Sequence, residues 1–337
     1  MAIFLLLLLA VSCYGMRFSS FHEDHMSVRA TTAIKGVFAI IILLSHTKAY
    51  ISLGTDVPDR LFGFTMRYLG QLMVTAYFFY SGFGILESVR HKKRYMQGFF
   101  KKRFLKTLIH FDLAVLLFLV LQSILGNHFE SADYLWCWIG WESIGNSCWF
   151  IFVILALYLA TYLAFRLFPA QDRWIPTLIV TLLSAGLWVF LHQFKQDYWW
   201  YDTLAAFPAG MWFSIAKEKY TGGSLTRKTL LAVAVIASFV IWRHFVDIDI
   251  YGICAILFSL TVVAFSLWVK LDNPVLQWLG KHCFSIYMLQ RIPMIVLSQF
   301  GMQNNKFVFT TVVIVTALLL AWGFTKATDA LDTKLFA

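Results

Sequence analysis

Long apolar blocks, separated by short polar stretches, follow one another along the whole chain. Most of them are long enough, or nearly so, to cross about 30 Å of hydrocarbon as an α-helix. The pattern predicts eleven helices, of which ten span the membrane and a short one lies at the amino terminus. Their expected positions are 2–16, 34–52, 66–88, 105–125, 148–168, 175–193, 202–216, 229–246, 252–269, 282–300 and 307–325.

The composition supports the same class of protein. The 337 residues are 60% hydrophobic and 14% charged, and the mean hydropathy is +0.70. A soluble domain is nearer 45–50% apolar and about 25% charged. No linker or internal repeat divides the chain, so we expect one all-α, polytopic membrane domain over residues 1–337, with no fused soluble domain.

The lysines and arginines predict which end of the helices is cytoplasmic. The segment 90–106, RHKKRYMQGFFKKRFLK, holds eight of the 28 cations, and positive charge concentrates on the cytoplasmic side of membrane proteins. If the loops alternate outward from this segment, 21 of the 28 cations fall on its side. The net charge of +10 is therefore attributed to the loops on the cytoplasmic side of the membrane, and no nucleic-acid partner is expected.

The opposite side contains the loop 126–147, which is acidic, aromatic and free of Lys and Arg. Such a loop suits a sugar or another polar acceptor, although a belt of interfacial Trp explains any single Trp as well. Cys137 and Cys148 are close enough along the chain to pair if this loop is extracytoplasmic, but unpaired thiols are the simpler interpretation. The five cysteines lack metal-ligand spacing, and we expect no metal.

Two polar residues interrupt the second apolar block, AIKGVFAIIILLSH. Lys35 and His46 are eleven residues apart, which on an α-helix is a net rotation of about 20° and a rise of about 16.5 Å. They therefore share one face of the helix, with Lys35 near the cytoplasmic mouth and His46 deep in the bilayer. A titratable residue in a membrane helix favours a functional role, but a His bonded to a neighbouring helix is a plain alternative.

Two further segments hold candidate residues. Arg103 and Lys106 lie on one helical face at a cytoplasmic entrance, where they suit phosphate binding or simple anchoring at the membrane surface. Ser81, followed by Gly82 and Gly84, breaks the apolar run 77–85; close helix packing or a ligand contact both explain this break. In the next helix, either His110 and Asp112 form a polar pair that faces the bundle, or they lie in the interfacial zone of the membrane.

Taken together, these segments resemble the acyltransferase-3 family of integral membrane acyltransferases, which O-acylate bacterial surface glycans. The resemblance covers roughly residues 29–325. Five segments match the family motifs in order: IKGVFAIIILLSH, YFFYSGFGI, KKRFLKTLIHF, NSCWFIFVILALYL and LGKHCFSIYMLQRIPM.

The resemblance implies transfer of an acyl group, typically acetyl, from cytoplasmic acyl-CoA to a hydroxyl of a surface or exported polysaccharide in a bacterial inner membrane. His46 is then the catalytic residue, and the donor-binding residues are Lys35, Ser81, Arg103 and Lys106. The expected acceptor-binding residues are Trp149, Tyr287, Gln290 and Arg291. The implied partners are membrane lipid, acyl-CoA, the glycan and other polysaccharide-assembly proteins.

The chain departs from the family pattern at several positions. Lys35 and Lys106 replace arginines, so bidentate phosphate contacts become point-charge contacts. Cys283 replaces a serine, Gln290 stands where a His is frequent, and the Glu of the fourth motif is absent near Leu155. His46 remains as the matched residue that can move a proton near neutral pH.

Two other functions fit a polytopic membrane protein. A transporter or flippase predicts paired halves with broken helices at matching positions, and the sequence lacks that symmetry. A scaffold or sensor in a glycan pathway would tolerate the loss of His46.

Overall fold

The computed structural model describes residues 1–19, 21–168, 173–221, 224–245 and 251–336. Within these ranges the chain is helical nearly throughout. The helices are α1 (Ala2–Cys13), α2 (Val28–Lys48), α3 (Val57–Leu69), α4 (Leu72–His91), α5 (Lys106–Ile124), α6 (Ser131–Trp136), α7 (Trp149–Leu167), α8 (Trp174–Phe194), α9 (Ala206–Thr221), α10 (Leu225–Phe245), α11 (Tyr251–Trp268), α12 (Pro274–Lys281), α13 (Cys283–Leu289), α14 (Arg291–Gln299) and α15 (Lys306–Leu335).

The only strands among the described residues are two short ones, β1 (Arg17–Phe18) and β2 (Val269–Lys270). They pair antiparallel and fasten the segment after α1 to the end of α11. A π-helical stretch, Phe100–Leu105, leads directly into α5. The all-α, polytopic architecture predicted from the sequence is therefore confirmed.

Eight helical segments of the described chain are long and apolar enough to cross a membrane, with α3 and α4 forming one of them as Val57–His91. The predicted block 202–216 corresponds to α9, which has 16 residues. The predicted block 282–300 is two short helices, α13 and α14, that meet at Gln290. The amino-terminal helix ends at Cys13 rather than near residue 16, because the chain turns there toward β1.

The outside of the bundle is apolar. Large side chains such as Leu6, Leu182 and Leu319 are each more than 60% exposed, and they stand on α1, α8 and α15. Contiguous exposed apolar surface of this kind is stable against lipid but not against water. The polar groups instead gather inside the bundle and at its two ends.

Helix α2 is held against α12 by two glycines. A Cβ atom at Gly36 would overlap the carbonyl oxygen of Leu276, and one at Gly280 would overlap the carbonyl oxygen of Thr32. Small residues let membrane helices approach until their backbones touch, which replaces the missing hydrophobic drive by van der Waals contact. The position of α2 is therefore set by α12 over the first half of its length.

Helices α4 and α9 use the same device. A Cβ atom at Gly82 would overlap the carbonyl oxygen of Phe207, and one at Gly210 would overlap that of Phe79. Helix α4 also runs unbroken from Leu72 to His91. Of the two explanations for the interruption of the apolar run at Ser81–Gly82, close helix packing holds for Gly82, and the helix continues through it.

Ion pairs mark the two ends of the bundle. At the basic end, which holds the cations of segment 90–106, Lys270 pairs with Asp24 at 2.5 Å and Arg29 pairs with Asp272 at 2.8 Å. At the opposite end, Lys306 contacts the buried carboxylate of Asp59. Each end of the membrane domain thus has its own ion pairs between charged side chains.

Replacing Gly280 by alanine is expected to destabilise the fold. The added methyl group has no room against Thr32, and overpacking of this kind costs about 1–3 kcal/mol. The thermal unfolding midpoint of the purified protein in detergent should fall. Gly186→Ala on α8 is the matched control, since a Cβ atom there meets nothing within 4 Å and alanine favours the helix. Equal midpoints for the two variants would contradict the packing described for α2 and α12.

Candidate active site

The site is built along α2. This helix is continuous from Val28 to Lys48, so Lys35 and His46 do lie on one straight element, separated by about 16.5 Å of rise. Lys35 is in the half of α2 nearest the basic end, and His46 is in its last turn at the opposite end. Both side chains are half-buried. Three cavities lie beside α2 between these positions.

The first cavity, called here the basic cavity, opens at the basic end and has a volume of about 940 Å³. Its walls contain Lys35 from α2, Ser81 from α4, Arg103 from the π-helical stretch and Lys106 from α5. The four residues that the sequence groups as donor-binding candidates are thus brought together around one space. Lys92 and Lys102 add positive charge to the same walls, whereas the charge of Lys217 is balanced by its ion pair with Glu87.

Neighbouring groups position these side chains. The Arg103 Nε donates to the Tyr95 hydroxyl at 3.1 Å, and the Ser81 hydroxyl lies 3.0 Å from the Tyr158 hydroxyl. Tyr158 lies in the fourth quoted motif, but the sequence gives no sign that its hydroxyl bonds Ser81. Phenol groups of this kind hold polar side chains in place at the edge of an apolar core.

Lys106 has a partner that the sequence did not reveal. Its Nζ lies 2.5 Å from the Asp332 carboxylate, and the His110 Nε2 lies 2.9 Å from the other oxygen of that carboxylate. His110 therefore bonds Asp332 and not Asp112, because α15 brings Asp332 against α5 from more than 200 positions away. Such a contact leaves no trace in local spacing.

The second cavity, called here the outer cavity, opens at the opposite end and has a volume of about 910 Å³. His46, Trp149, Tyr287 and Arg291 line it, so four of the five residues expected at the catalytic and acceptor positions meet there. The loop 126–147, which the sequence indicates as suited to a polar acceptor, adds Trp141, Glu142, Ser143, Asn146 and Ser147 to the wall. Sequence reasoning missed the other polar and aromatic lining residues, which come mostly from distant segments: Ser45, Arg67, Gln71, Lys195, Asp197, Tyr198, Trp199, Trp200, Arg243 and Tyr251.

Gln290 does not belong to this wall. It is fully buried, and its amide Nε2 donates to the Tyr287 carbonyl at 3.1 Å. It occupies the junction between α13 and α14, where it supports the bend that separates Tyr287 from Arg291. Gln290 thus contacts a lining residue, Tyr287, without lining the cavity itself.

His46 is surrounded by groups from three other elements. Its Nδ1 lies 3.5 Å from the Ser147 hydroxyl, and its ring centre lies 6.4 Å from that of Tyr287. The positive charge of Arg291 also acts on it. In the tautomer whose Nδ1–H donates to the Ser147 hydroxyl, Nε2 carries no hydrogen and is the basic nitrogen. The imidazole can then accept a proton from a hydroxyl group in the outer cavity.

A polar cluster backs the outer cavity behind Gln71. The Gln71 amide donates to the Asp202 carboxylate at 3.2 Å and to the Trp199 carbonyl at 2.9 Å. Asp202 is 1% exposed, and this burial raises the pKa of its carboxyl to about 8 because a charge is poorly solvated there. Asp202 is therefore largely uncharged at neutral pH.

The third cavity, called here the neck, lies between the other two. It is small, about 50 Å³, and almost entirely apolar. It shares Tyr77, Phe150, Cys283 and Phe284 with the basic cavity, and it shares Ile42, Val74 and Tyr287 with the outer cavity. The three spaces therefore lie in series along α2, from Lys35 to His46, and this series, called here the path, is narrowest in the middle.

The groups along this path are suited to particular chemistry. Cations at one mouth fit a phosphate-bearing ligand, an apolar neck fits a thin chain, and an imidazole at the far end fits proton transfer. Among the described residues no three His, Cys, Asp or Glu side chains come together as a metal site. All five cysteines, including Cys137 and Cys148, are free thiols.

Comparison with known proteins gives one match. The family model of the acyltransferase-3 family, described as an acyltransferase domain, matches residues 29–326. No curated protein and no solved structure matches the chain.

The match extends from the start of α2 into α15 and so includes Lys35, His46, the whole lining of the outer cavity and the neck, and most of the lining of the basic cavity. The chain belongs to the acyltransferase-3 family and is a multi-pass membrane acyltransferase.

Proposed function

We propose that the protein transfers an acyl group, acetyl in the simplest case, from acyl-CoA bound at the basic end to a hydroxyl group of a polysaccharide at the opposite end. The basic end then faces the cytoplasm, in keeping with its excess of lysine and arginine. A bacterial cytoplasmic membrane is the corresponding location. His46 is the catalytic residue of this reaction.

One observation carries the proposal: the basic cavity, the neck and the outer cavity follow one another along α2. Lys35 lines the first and His46 lines the last, about 16.5 Å apart along the helix. The pantetheine arm of CoA is an extended chain of about the same reach. A donor whose phosphates rest near Lys35 therefore has its thioester near His46.

The donor end of the path is rich in cations. Lys35 and Arg103 have no carboxylate within ion-pair distance among the described residues, so their charges are available to phosphate oxygens. Lys106 already pairs with Asp332, and it contributes less charge to a ligand unless that pair opens. Lys35 and Arg103 are accordingly the principal phosphate contacts.

The reaction needs one proton acceptor. His46 takes the proton from the sugar hydroxyl as the oxygen attacks the thioester carbonyl, a C–O bond forms, and the C–S bond breaks. The proton then passes from the imidazolium to the CoA sulfur, which leaves as the thiol. General-base catalysis of this kind contributes about 10²–10⁴-fold. An acyl group carried briefly on the His46 nitrogen uses the same residue in two steps.

The acceptor end is suited to a sugar. Trp141, Trp149, Trp199 and Trp200 line the outer cavity, and the electron-rich face of an indole attracts the C–H groups on one face of a sugar ring. Hydroxyl and amide groups between these rings provide hydrogen-bond partners. A polysaccharide or its building unit that enters from the outer side can therefore stack on these rings and place a hydroxyl group at His46.

The dimensions of the neck favour acyl transfer over transport. Its volume of about 50 Å³ is too small for a sugar ring, whereas a pantetheine chain is thin enough to need only side-chain movement. A flippase for a glycan would have to open the contacts among Tyr77, Phe150 and Phe284. Uptake of the glycan into vesicles without acyl-CoA would favour the transporter.

Replacing His46 by alanine is expected to abolish acyl transfer while leaving the fold intact. The variant lacks the proton acceptor, so turnover should fall by about 10²-fold or more. The measurement is the release of CoA thiol by purified protein in lipid nanodiscs, together with mass spectrometry of the cell's polysaccharide.

His128→Ala is the matched control, because His128 is an exposed residue outside the outer cavity. It should keep both the thiol release and the acyl mass on the glycan. Unchanged acylation in the His46 variant would show that another residue performs the chemistry.

Replacing Lys35 or Arg103 by glutamine is expected to weaken donor binding. Each change removes charge-assisted contacts to phosphate, which are worth about 1.5–3 kcal/mol, so the KM for acetyl-CoA should rise about tenfold or more. The KM for acetyl-pantetheine, which lacks the nucleotide phosphates, should change much less.

Lys93→Gln serves as the control for this pair, because Lys93 is exposed in the same basic segment but is not part of the cavity wall. It should leave both donors unaffected. Equal losses for acetyl-CoA and acetyl-pantetheine in the Lys35 variant would place the phosphates elsewhere.

A further inference from the structure

The outer cavity is unexpectedly cationic. Counting by loops leaves seven of the 28 lysines and arginines on the outer side of the membrane, and four of these seven line this one cavity: Arg67, Lys195, Arg243 and Arg291. They come from α3, the segment after α8, α10 and the start of α14. The rule that positive charge concentrates on the cytoplasmic side explains the cations of the basic end. It does not explain a cluster of cations on the outer side.

The carboxylates in the same wall do not balance these charges. The acidic lining residues are Glu142 and Asp197. Glu142 forms an ion pair with Lys195, whose Nζ lies 2.9 Å from the Glu142 Oε1. Asp202 lies behind the wall, and its raised pKa of about 8 leaves it mostly neutral. Three arginines therefore face a single remaining carboxylate, that of Asp197.

The role of Lys195 is also visible in its other contacts. Its Nζ donates to the Trp141 carbonyl at 2.7 Å and stands over the rings of Trp141 and Trp200, 4.0 and 4.5 Å from their centres. Such cation–π contacts fix the ring orientations. Lys195 is thus committed to holding the aromatic wall.

Arg291 is different, because it has no such partner. No carboxylate lies within ion-pair distance of it in the described part of the chain, and its Nε is buried without a hydrogen bond. Arg243 likewise has a buried, unbonded Nε, although its Nη2 donates to the Tyr68 carbonyl at 3.3 Å. Both side chains are half-buried, and a buried Nε–H without an acceptor is costly unless a ligand supplies one.

The position of Arg291 connects it to the chemistry. It lies four residues after Tyr287, whose ring is beside His46, and its charge acts on His46 directly. Arg291 and His46 also line the same cavity. One sugar bound there can therefore present an anionic group to Arg291 and a hydroxyl group to His46.

We propose that the acceptor is an anionic sugar, and that Arg291 binds a carboxylate or phosphate group next to the hydroxyl that is acylated. Planar guanidinium groups bind both oxyanions through two parallel hydrogen bonds. Arg243 and Arg67 supply further positive charge along the cavity. This inference rests on the proposed acyl transfer and specifies its acceptor class.

The test uses the cell's own polysaccharide from a strain that lacks the gene, which is free of the acyl group added by this protein. Three preparations are compared as acceptors: the untreated glycan, the glycan whose carboxyl groups have been activated with carbodiimide and reduced to alcohols with borohydride, and the glycan after phosphatase treatment. Purified protein in nanodiscs transfers radiolabelled acetyl from acetyl-CoA to each.

Removal of the relevant charge should lower acyl transfer at least tenfold. A loss on carboxyl reduction identifies a carboxylate, and a loss on phosphatase treatment identifies a phosphate; either result supports the inference. Equal transfer to all three preparations overturns it while leaving the proposed function in place. No transfer to the untreated glycan, with the protein folded, overturns the proposed function as well.

Arg291→Gln provides the second measurement. Its KM for the untreated glycan should rise at least tenfold with a smaller change in kcat, and Arg291→Lys should restore part of the affinity. A fall in kcat alone, equal for charged and neutralised glycans, would mean that Arg291 stabilises the transition state, which contradicts the inference. Arg60→Gln, an exposed charge outside the cavity, should change neither parameter.

A salt titration of the unchanged protein keeps the inference testable if Arg291 variants fail to fold. Charge-based binding weakens as salt screens it. The KM for the untreated glycan should therefore rise between about 50 and 500 mM NaCl, while the KM for the neutralised glycan stays constant. The same salt dependence for both acceptors would contradict a role for acceptor charge.

Discussion

The contact of α2 with α12 is the constraint on which the site depends. Gly36 and Gly280 bring the two backbones together, so α2 cannot slide or rotate without an overlap of backbone atoms. Because Lys35 adjoins Gly36, the same contact fixes the basic mouth of the path. His46 follows as a consequence of helical geometry, three turns further along an unbroken helix.

A membrane setting explains why the path narrows. Two polar cavities that joined broadly would form a water-filled pore, and water would compete with the sugar hydroxyl for the thioester. The apolar neck formed by Tyr77, Phe150, Cys283 and Phe284 keeps the two spaces apart. A bound pantetheine chain is able to fill this neck, so the donor itself completes the barrier that protects its acyl group.

The helices, the helical face shared by Lys35 and His46, and the grouping of four residues at the basic mouth could be predicted from the sequence, because each depends on local periodicity or on a quoted motif. The pairing of Lys106 with Asp332, the partners of Arg103 and most of the outer-cavity lining could not. These contacts join segments far apart along the chain. The choice between the two explanations for Gly82 could not be made from the sequence either, since only the position of α9 shows that this residue serves close packing.

The central claim is that one donor molecule spans the path from Lys35 to His46. The most direct measurement is a cryo-electron microscopy structure of the protein with a non-hydrolysable thioether analogue of acetyl-CoA. The account predicts phosphates at Lys35 and Arg103, the pantetheine chain through the neck and the sulfur beside the His46 imidazole. Phosphates in the outer cavity, or a sulfur that stays on the basic side of Cys283, would contradict it.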